Sequence, residues 1–170
     1  MATTLRNATL KVTIKEEITL NGNRQDSENI LRISDINEIS KRIVTIPVSG
    51  SGIVTLLETT GDAGSVVGPG KFIVGDMRYF RITNLNSASG EGIKLQIARD
   101  DDSNDTDDEC AWFLLEEGKS MIINTFDEAF DAAAGDLDAG SISLDAITNI
   151  RAINESGSVA VDVEIFVASV

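Results

Sequence analysis

The stretch at residues 10–20, LKVTIKEEITL, alternates apolar with polar side chains. Because successive side chains of a β-strand point to opposite faces, this period of two predicts a strand with one apolar face. Only Glu16 interrupts the apolar phase, and such an interruption predicts a bulge or a strand end. The dipeptide Asn21-Gly22 follows directly and is typical of a tight turn whose residues adopt positive φ.

A second alternating stretch lies near the other end of the chain and predicts another long strand. Its apolar phase consists of Val159, Val161, Val163, Ile165 and Val167. Shorter strand candidates lie at residues 43–48, 53–58, 78–84, 93–97, 110–115, 120–124 and 147–153. Pro47 predicts a strand end or a sheet edge, because proline has no amide hydrogen to donate. Residues 110–115 and 120–124 are predicted to pair as a hairpin around a turn at residues 116–118.

No segment combines a helix cap with a long amphipathic run, and the strand candidates are separated by Gly, Asn, Asp and Ser. This pattern predicts an all-β fold, specifically a single-domain antiparallel β-sandwich or jelly roll with about 8–9 short strands. A chain of 170 residues is long enough for one such domain. We predict an N-terminal arm at residues 1–8 and a β-sandwich domain at residues 9–170.

The charge of the chain excludes several functions. The chain has 28 acidic and 14 basic residues, a net charge of -14, no histidine and one cysteine, Cys110. Phosphates would repel so acidic a chain, so no nucleic-acid partner is expected. Without histidine, no His-based catalysis is available, and Cys110 is predicted to be a small buried residue. Residues 1–80 hold nine basic and nine acidic side chains, whereas residues 81–170 hold five and nineteen. The near-neutral half is expected to dock and the acidic half to stay solvated.

The ends of the chain and its hydropathy show neither a signal peptide nor an apolar stretch of membrane-spanning length. We therefore expect synthesis in the cytoplasm and no membrane partner. No motif predicts a cofactor or a catalytic residue, and we expect a protein that is not an enzyme.

Residues 100–109 contain seven acidic side chains and no basic one. Calcium binds six to eight oxygen atoms, so Asp100, Asp102 and Asn104 are calcium candidates. The helix-loop-helix calcium pattern fails further on, because Asp105 occupies the position that requires glycine and Ala111 the position that requires glutamate. The alternative, which the sequence favours, is a solvated, self-repelling loop.

Two pairs of adjacent aromatic residues, Tyr79-Phe80 and Trp112-Phe113, offer candidates for recognition. Neighbours on a strand face opposite ways, so one member of each pair is expected in the core. The other member would lie on a second sheet, at a subunit interface or on a sugar-binding platform.

Three segments together have a familiar layout. The first is RYFRITNL at residues 78–85 with the strand at residues 93–97, and the second is AWFLLEEGKS at residues 111–120. The third joins IRAIN at residues 150–154 to VDVEIF at residues 161–166. This layout resembles that of small virion proteins of tailed bacteriophages, especially marine and cyanobacterial ones. The resemblance implies a capsid decoration (cement) protein, or a tail or fibre component, and by analogy a homo-oligomer, specifically a trimer.

We therefore expect a non-enzymatic virion protein that binds the outer capsid shell and stabilises it by burying surface between subunits. Its partners would be the major capsid protein or other virion proteins. The alternative is a receptor- or carbohydrate-binding module of a tail or fibre. The interface candidates, chosen from low-charge segments, are Leu5, Ile43, Ile46 and Pro47.

Overall fold

The structure, a computed structural model, describes residues 7–48, 52–61, 70–99, 109–130, 144–156 and 158–170. Of these residues, 68% lie in strands and none lies in an α-helix, so the predicted all-β class is confirmed. The strands form three sheets. Two of these sheets are antiparallel, and the third contains one parallel pair.

The described residues contain eleven strands, more than the sequence predicts. They are β1 Ala8–Leu20, β2 Asn23–Ile36, β3 Glu38–Ile46, β4 Val54–Thr60, β5 Lys71–Ile73, β6 Met77–Asn84, β7 Ile93–Arg99, β8 Glu109–Leu115, β9 Ser120–Ile123, β10 Asn149–Asn154 and β11 Val161–Ser169. A short 3₁₀ turn at Val74–Asp76 links β5 to β6.

Strands β1 and β2 form a long two-stranded hairpin that makes a sheet of its own. Its turn is Asn21-Gly22, with φ of 52° and 81°, as the dipeptide predicts. The predicted interruption at Glu16 is wrong: Glu16 pairs with Ser27 in regular register, and the irregularity lies between Ala8 and Leu10. A polar side chain costs nothing here, because Glu16 is exposed.

The other nine strands form two sheets that share one core. The four-stranded sheet has the order β3-β11-β6-β9, and the five-stranded sheet has the order β5-β4-β10-β7-β8. The core contains Ile46, Phe80 and Val163 from the first sheet and Leu57, Leu95 and Ile150 from the second. Only β4 and β5 pair in parallel. Removing these apolar side chains from water is the main stabilising contribution.

The predicted hairpin of residues 110–115 with 120–124 is wrong. Strand β8 pairs with β7, whereas β9 pairs with β6 in the other sheet. The turn at residues 116–119 therefore links the two sheets. Cys110 is exposed rather than buried, because it lies on the outward phase of the edge strand β8. By contrast, β3 ends directly before Pro47 and is an edge strand, as that proline predicts.

Two buried asparagines connect the two sheets. The Asn84 amide of β6 donates hydrogen bonds to the carbonyls of Glu91 (2.8 Å) and Leu115 (3.4 Å). The Asn154 amide of β10 donates to the carbonyls of Ile46 (3.2 Å) and Val159 (2.8 Å). Each side-chain oxygen accepts the amide hydrogen two residues later, which closes a local turn.

Candidate docking surface

The β1–β2 hairpin has one apolar and one charged face. The register places the even-numbered residues of β1 beside Asn23, Gln25, Ser27, Asn29, Leu31 and Ile33 of β2. We call this side the apolar face; its large side chains are Leu10, Val12, Ile14, Ile18, Leu20, Leu31 and Ile33. Glu16 is the only charged residue on this face of the hairpin, and it has no ion pair among the described residues.

The opposite side of the hairpin is a network of ion pairs. Glu17 accepts from Lys15 and from Arg24 (3.0 Å), and Arg24 also contacts Asp26 (2.5 Å). These side chains are largely exposed, so each pair contributes little to stability. Their clustering indicates that this side of the hairpin faces water.

Only the base of the apolar face is covered. Leu10, Val12 and Ile33 pack against a small cluster of Tyr79, Phe166 and Ala168, together with Ile36 and Val170. Further along the hairpin the side chains are open: Ile14 is 48% exposed, Ile18 56% and Leu20 60%. A two-stranded hairpin alone in water is marginally stable, so this uncovered length is typical of a contact surface.

The surface under the hairpin base is the outer face of the four-stranded sheet, which we call the platform. Its side chains are Ile39, Lys41 and Ile43 of β3, Glu164 and Phe166 of β11, Tyr79 and Arg81 of β6, and Ile122 of β9. Ile39 and Ile43 are 57% and 62% exposed. A groove of about 320 Å³ runs between the hairpin base and the platform.

The charges of the platform balance, because Lys41 and Arg81 lie on the same face of the sheet as Glu164 and Asp162. Glu164 accepts hydrogen bonds from Lys41 (2.9 Å) and from Arg81, so one carboxylate serves two cations. The hydrogen bond from Lys41 and the charges of both cations lower the pKa of Glu164, although partial burial acts against them. Arg81 also lies over the Phe166 ring at 6.0 Å, a cation–π arrangement.

Both members of the Tyr79-Phe80 pair are buried: Phe80 lies in the core as expected, and Tyr79 contacts a second sheet, which is one of the alternatives expected for the other member. Phe80 lies in the core between the sheets, whereas Tyr79 lies under the hairpin base and contacts Phe166 edge-to-face at 5.9 Å. Burial raises the pKa of Tyr79, with the charge of Arg81 opposing that shift. Tyr79 is therefore no sugar platform in this chain.

The predicted interface residues occupy different environments. Ile43 is exposed on the platform and Pro47 is half-buried after β3. Ile46 is fully buried in the core, so it takes no part in the surface described above. Leu5 and the calcium candidates Asp100, Asp102 and Asn104 lie outside the described residues.

Sequence reasoning missed most of this surface. Phe166 and Ala168 are apolar residues in the polar phase of β11, and together with the buried Tyr79 they could have indicated a second covered face. The sequence shows the apolar alternation of β1, but it does not show that Ile14, Ile18 and Leu20 lie beyond the sheet that covers the hairpin base.

A second apolar region lies at the edge strand β8. Trp112, Phe113 and Leu114 are 45%, 44% and 61% exposed. Phe113 is on the inward phase and lines a groove of about 500 Å³ between β8 and β9, whereas Trp112 and Leu114 point to the outer side of the sheet.

The described residues contain no group of three or more Cys, Asp or Glu side chains placed to hold a metal ion. In the same ranges no helix has the length and hydropathy needed to cross a bilayer. Comparisons of the chain with protein-family models, curated proteins and solved structures found no match.

Proposed function

We propose that this protein is a non-enzymatic structural protein that acts as part of a larger assembly, most specifically as a capsid decoration (cement) protein of a tailed bacteriophage. In this proposal the four- and five-stranded sheets form a sandwich of jelly-roll type that is antiparallel except for the β4–β5 pair. The protein binds the outer shell through the major capsid protein or another virion protein, and it stabilises the shell by burying surface between subunits.

The uncovered apolar face of the β1–β2 hairpin is the observation that carries this proposal. Ile14, Ile18 and Leu20 form an exposed apolar row whose reverse side carries solvated ion pairs. Glu16 interrupts the row, and it is bordered by Asn23, Gln25, Ser27 and Asn29 of β2. A row of three large exposed apolar side chains rimmed by polar residues is typical of a protein contact. Function by contact rather than by chemistry is what such a surface supports.

The choice of a capsid rests on the resemblance of the segments at residues 78–97, 111–120 and 150–166 to virion proteins. The net charge of -14 is compatible with this role, because self-repulsion keeps free subunits and particles apart in solution.

A shortened hairpin tests the proposal. Residues 13–30 are replaced by Asn-Gly, which joins Val12 to Leu31, its partner across the hairpin. Val12–Leu31 has the same parity as the pair Leu20–Asn23 that closes the natural turn, so the hydrogen-bonding register is preserved. The contacts of the hairpin base with Tyr79 and Phe166 also remain.

We expect the shortened protein to keep its melting temperature and to lose co-sedimentation with emptied phage capsids. The matched control is Thr19→Asp, which adds a charge to the already charged face and should leave co-sedimentation unchanged. A wild-type protein that does not bind any capsid or virion would refute the proposal. So would a shortened protein that binds as well as the wild type.

Exposed Trp112 supports a second candidate, a carbohydrate- or receptor-binding module of a tail or fibre. Aromatic faces stack on sugars, and Trp112 points outward from β8. It is the only tryptophan in the chain, so its fluorescence reports directly on this surface. A saturable fluorescence change with a host glycan, abolished by Trp112→Ala, would favour this candidate over the capsid.

A further inference from the structure

We propose that the occupant of the uncovered apolar face is a second copy of this chain, whose platform receives the hairpin. The hairpin of one copy lies along the outer face of the four-stranded sheet of the next. This inference rests on the proposed function in one respect, because both concern the apolar face of the β1–β2 hairpin. In the combined proposal the oligomer, rather than the single chain, binds the capsid shell.

The two surfaces already fit each other within one chain. At the hairpin base, Leu10 and Val12 of the apolar face pack on Tyr79 and Phe166 of the platform. The hairpin then continues with the same face, and the platform continues toward Ile43 at its edge strand. Each surface is therefore an extension of an interface that exists in the molecule.

The remaining halves of the two surfaces do not meet within one chain. Ile14, Ile18 and Leu20 stay exposed on the hairpin, and Ile39 and Ile43 stay exposed on the platform. Strands rise by about 3.4 Å per residue, so Ile18 lies about 20 Å along the hairpin from Val12. A second copy would cover both exposed surfaces, because its platform would receive the hairpin of one neighbour and its hairpin would cover the platform of another.

Charge does not oppose this occupant. The apolar face carries one charge, that of Glu16, which has no ion pair among the described residues. The platform carries two cations, Lys41 and Arg81, and two carboxylates, Glu164 and Asp162, so its charges balance. In a chain of net charge -14, contact between copies is least opposed where a nearly neutral strip meets a charge-balanced surface.

The contact joins two different surfaces, so it is head-to-tail. Repetition of such a contact produces a closed ring when the rotation between copies closes, and the trimer expected from the resemblance is one such ring. Every subunit in a ring then has both its hairpin and its platform covered.

Cysteine cross-linking in solution, without capsids, tests the inference. Both chains carry Cys110→Ser, and one also carries Ile18→Cys while the other carries Ile43→Cys. Each chain then holds a single cysteine, so a disulfide between them can form only between copies. The matched control replaces Ile18→Cys with Thr19→Cys, whose side chain is the next along β1 but lies on the charged face.

We expect mixed disulfide of two-chain mass from the Ile18→Cys and Ile43→Cys pair, at a yield at least several-fold above the control. Yields equal to the control would overturn the inference. Predominant disulfide between two Ile18→Cys chains would overturn it as well, because it would show two hairpins pairing with each other.

Solution mass gives an independent measurement. We expect the wild type to have a mass of at least twice 18.2 kDa at the highest soluble concentration. Ile18→Asp should reduce the mass to 18.2 kDa while its far-UV circular dichroism remains that of a folded β protein, and Thr19→Asp should leave the oligomer intact. The melting temperature of Ile18→Asp should be lower than that of the wild type and independent of protein concentration, because association stabilises the folded subunit. A wild type that is monomeric throughout would overturn the inference. An oligomer that does not bind capsids would support this inference and refute the proposed function. A monomer that binds capsids would refute this inference and support the proposed function.

Discussion

Single side chains hold the two sheets at a fixed separation, and the buried amides of Asn84 and Asn154 do so by hydrogen bonds. Asn154 is 3% exposed and donates across the gap to the Ile46 carbonyl. A buried polar group that loses its partner keeps its desolvation cost but not its compensation. These residues therefore determine how the sheets align, which apolar packing alone specifies poorly.

Replacing Asn154→Ala should accordingly lower the free energy of unfolding by about 2–4 kcal/mol, since it leaves several buried backbone groups without partners. Urea denaturation measures the change. Asn29→Ala, at an exposed position of the hairpin, is the control and should change stability by less than about 0.5 kcal/mol. Similar midpoints for the two variants would show that the amide is not needed.

Val163 and Asp162 are neighbours with opposite environments. Val163 is fully buried in the core, whereas Asp162 is exposed and accepts a hydrogen bond from the Thr45 hydroxyl (2.6 Å). Val163→Asp should lower the free energy of unfolding by several kcal/mol, because an unpaired carboxylate would enter the core. The whole free energy of unfolding of a domain is about 5–15 kcal/mol, so the loss is a large part of it. Asp162→Ala should cost about 1 kcal/mol. Thermal melts of the two variants compare them directly, and equal melting temperatures would contradict this assignment.

Strands differ in how much of their position the sequence reveals. The alternation at residues 10–20 and 159–168 predicts β1 and β11 correctly, because apolar side chains recur at every second position in both stretches. Strand β2 shows no such alternation: Ile30, Ile33 and Ile36 are spaced by three. It is a strand because the Asn21-Gly22 turn brings it beside β1 in fixed register.

The choice of sheet is also invisible in local sequence. Strands β8 and β9 are short apolar runs on either side of a Glu-Glu-Gly turn, as in a hairpin, but this pattern does not specify which neighbour accepts the backbone hydrogen bonds. The docking surface was harder still. Ile43 was identified from its own segment, whereas its companions Lys41, Arg81 and Phe166 come from three strands that only the folded sheet brings together.

Glu164 connects three strands of the platform, because it lies on β11 and contacts Lys41 of β3 and Arg81 of β6. Its pKa is lowered in the folded protein, chiefly by the hydrogen bond from Lys41. A lowered pKa contributes stability that is fully present above the ordinary pKa of the group. That contribution is lost as the pH falls through the ordinary value toward the lowered one.

We therefore expect Glu164→Gln to be less stable than the wild type at neutral pH. The difference should narrow as the pH falls through the ordinary pKa of a glutamate toward the lowered pKa of Glu164, because the wild-type carboxylate then becomes protonated. Urea denaturation of both proteins across this range is the measurement. A difference that stays constant or widens toward low pH would contradict the assigned role.

At the scale of the whole molecule, a net charge of -14 opposes folding through self-repulsion. The exposed ion pairs of the hairpin contribute too little to reverse that effect. Raising sodium chloride from about 0.01 M to about 0.15 M shortens the screening length from about 30 Å to about 8 Å. We expect the melting temperature of the monomeric Ile18→Asp protein to rise over this range, and calorimetry that records a fall would refute the explanation.

The strand order of the platform also determines when its strands can pair during synthesis of the chain. Strand β3 has one hydrogen-bonded neighbour in its sheet, β11, and residue 169 follows residue 46 by more than a hundred positions. At about 5–20 residues per second, a nascent chain waits on the order of ten seconds before β3 finds its partner. The β1–β2 hairpin needs only a two-residue turn, so it can close long before that. On a ribosome, the β1–β2 hairpin emerges before β11 and would therefore present its apolar face before the four-stranded sheet was complete. Crowded polysomes would favour premature contacts between such hairpins.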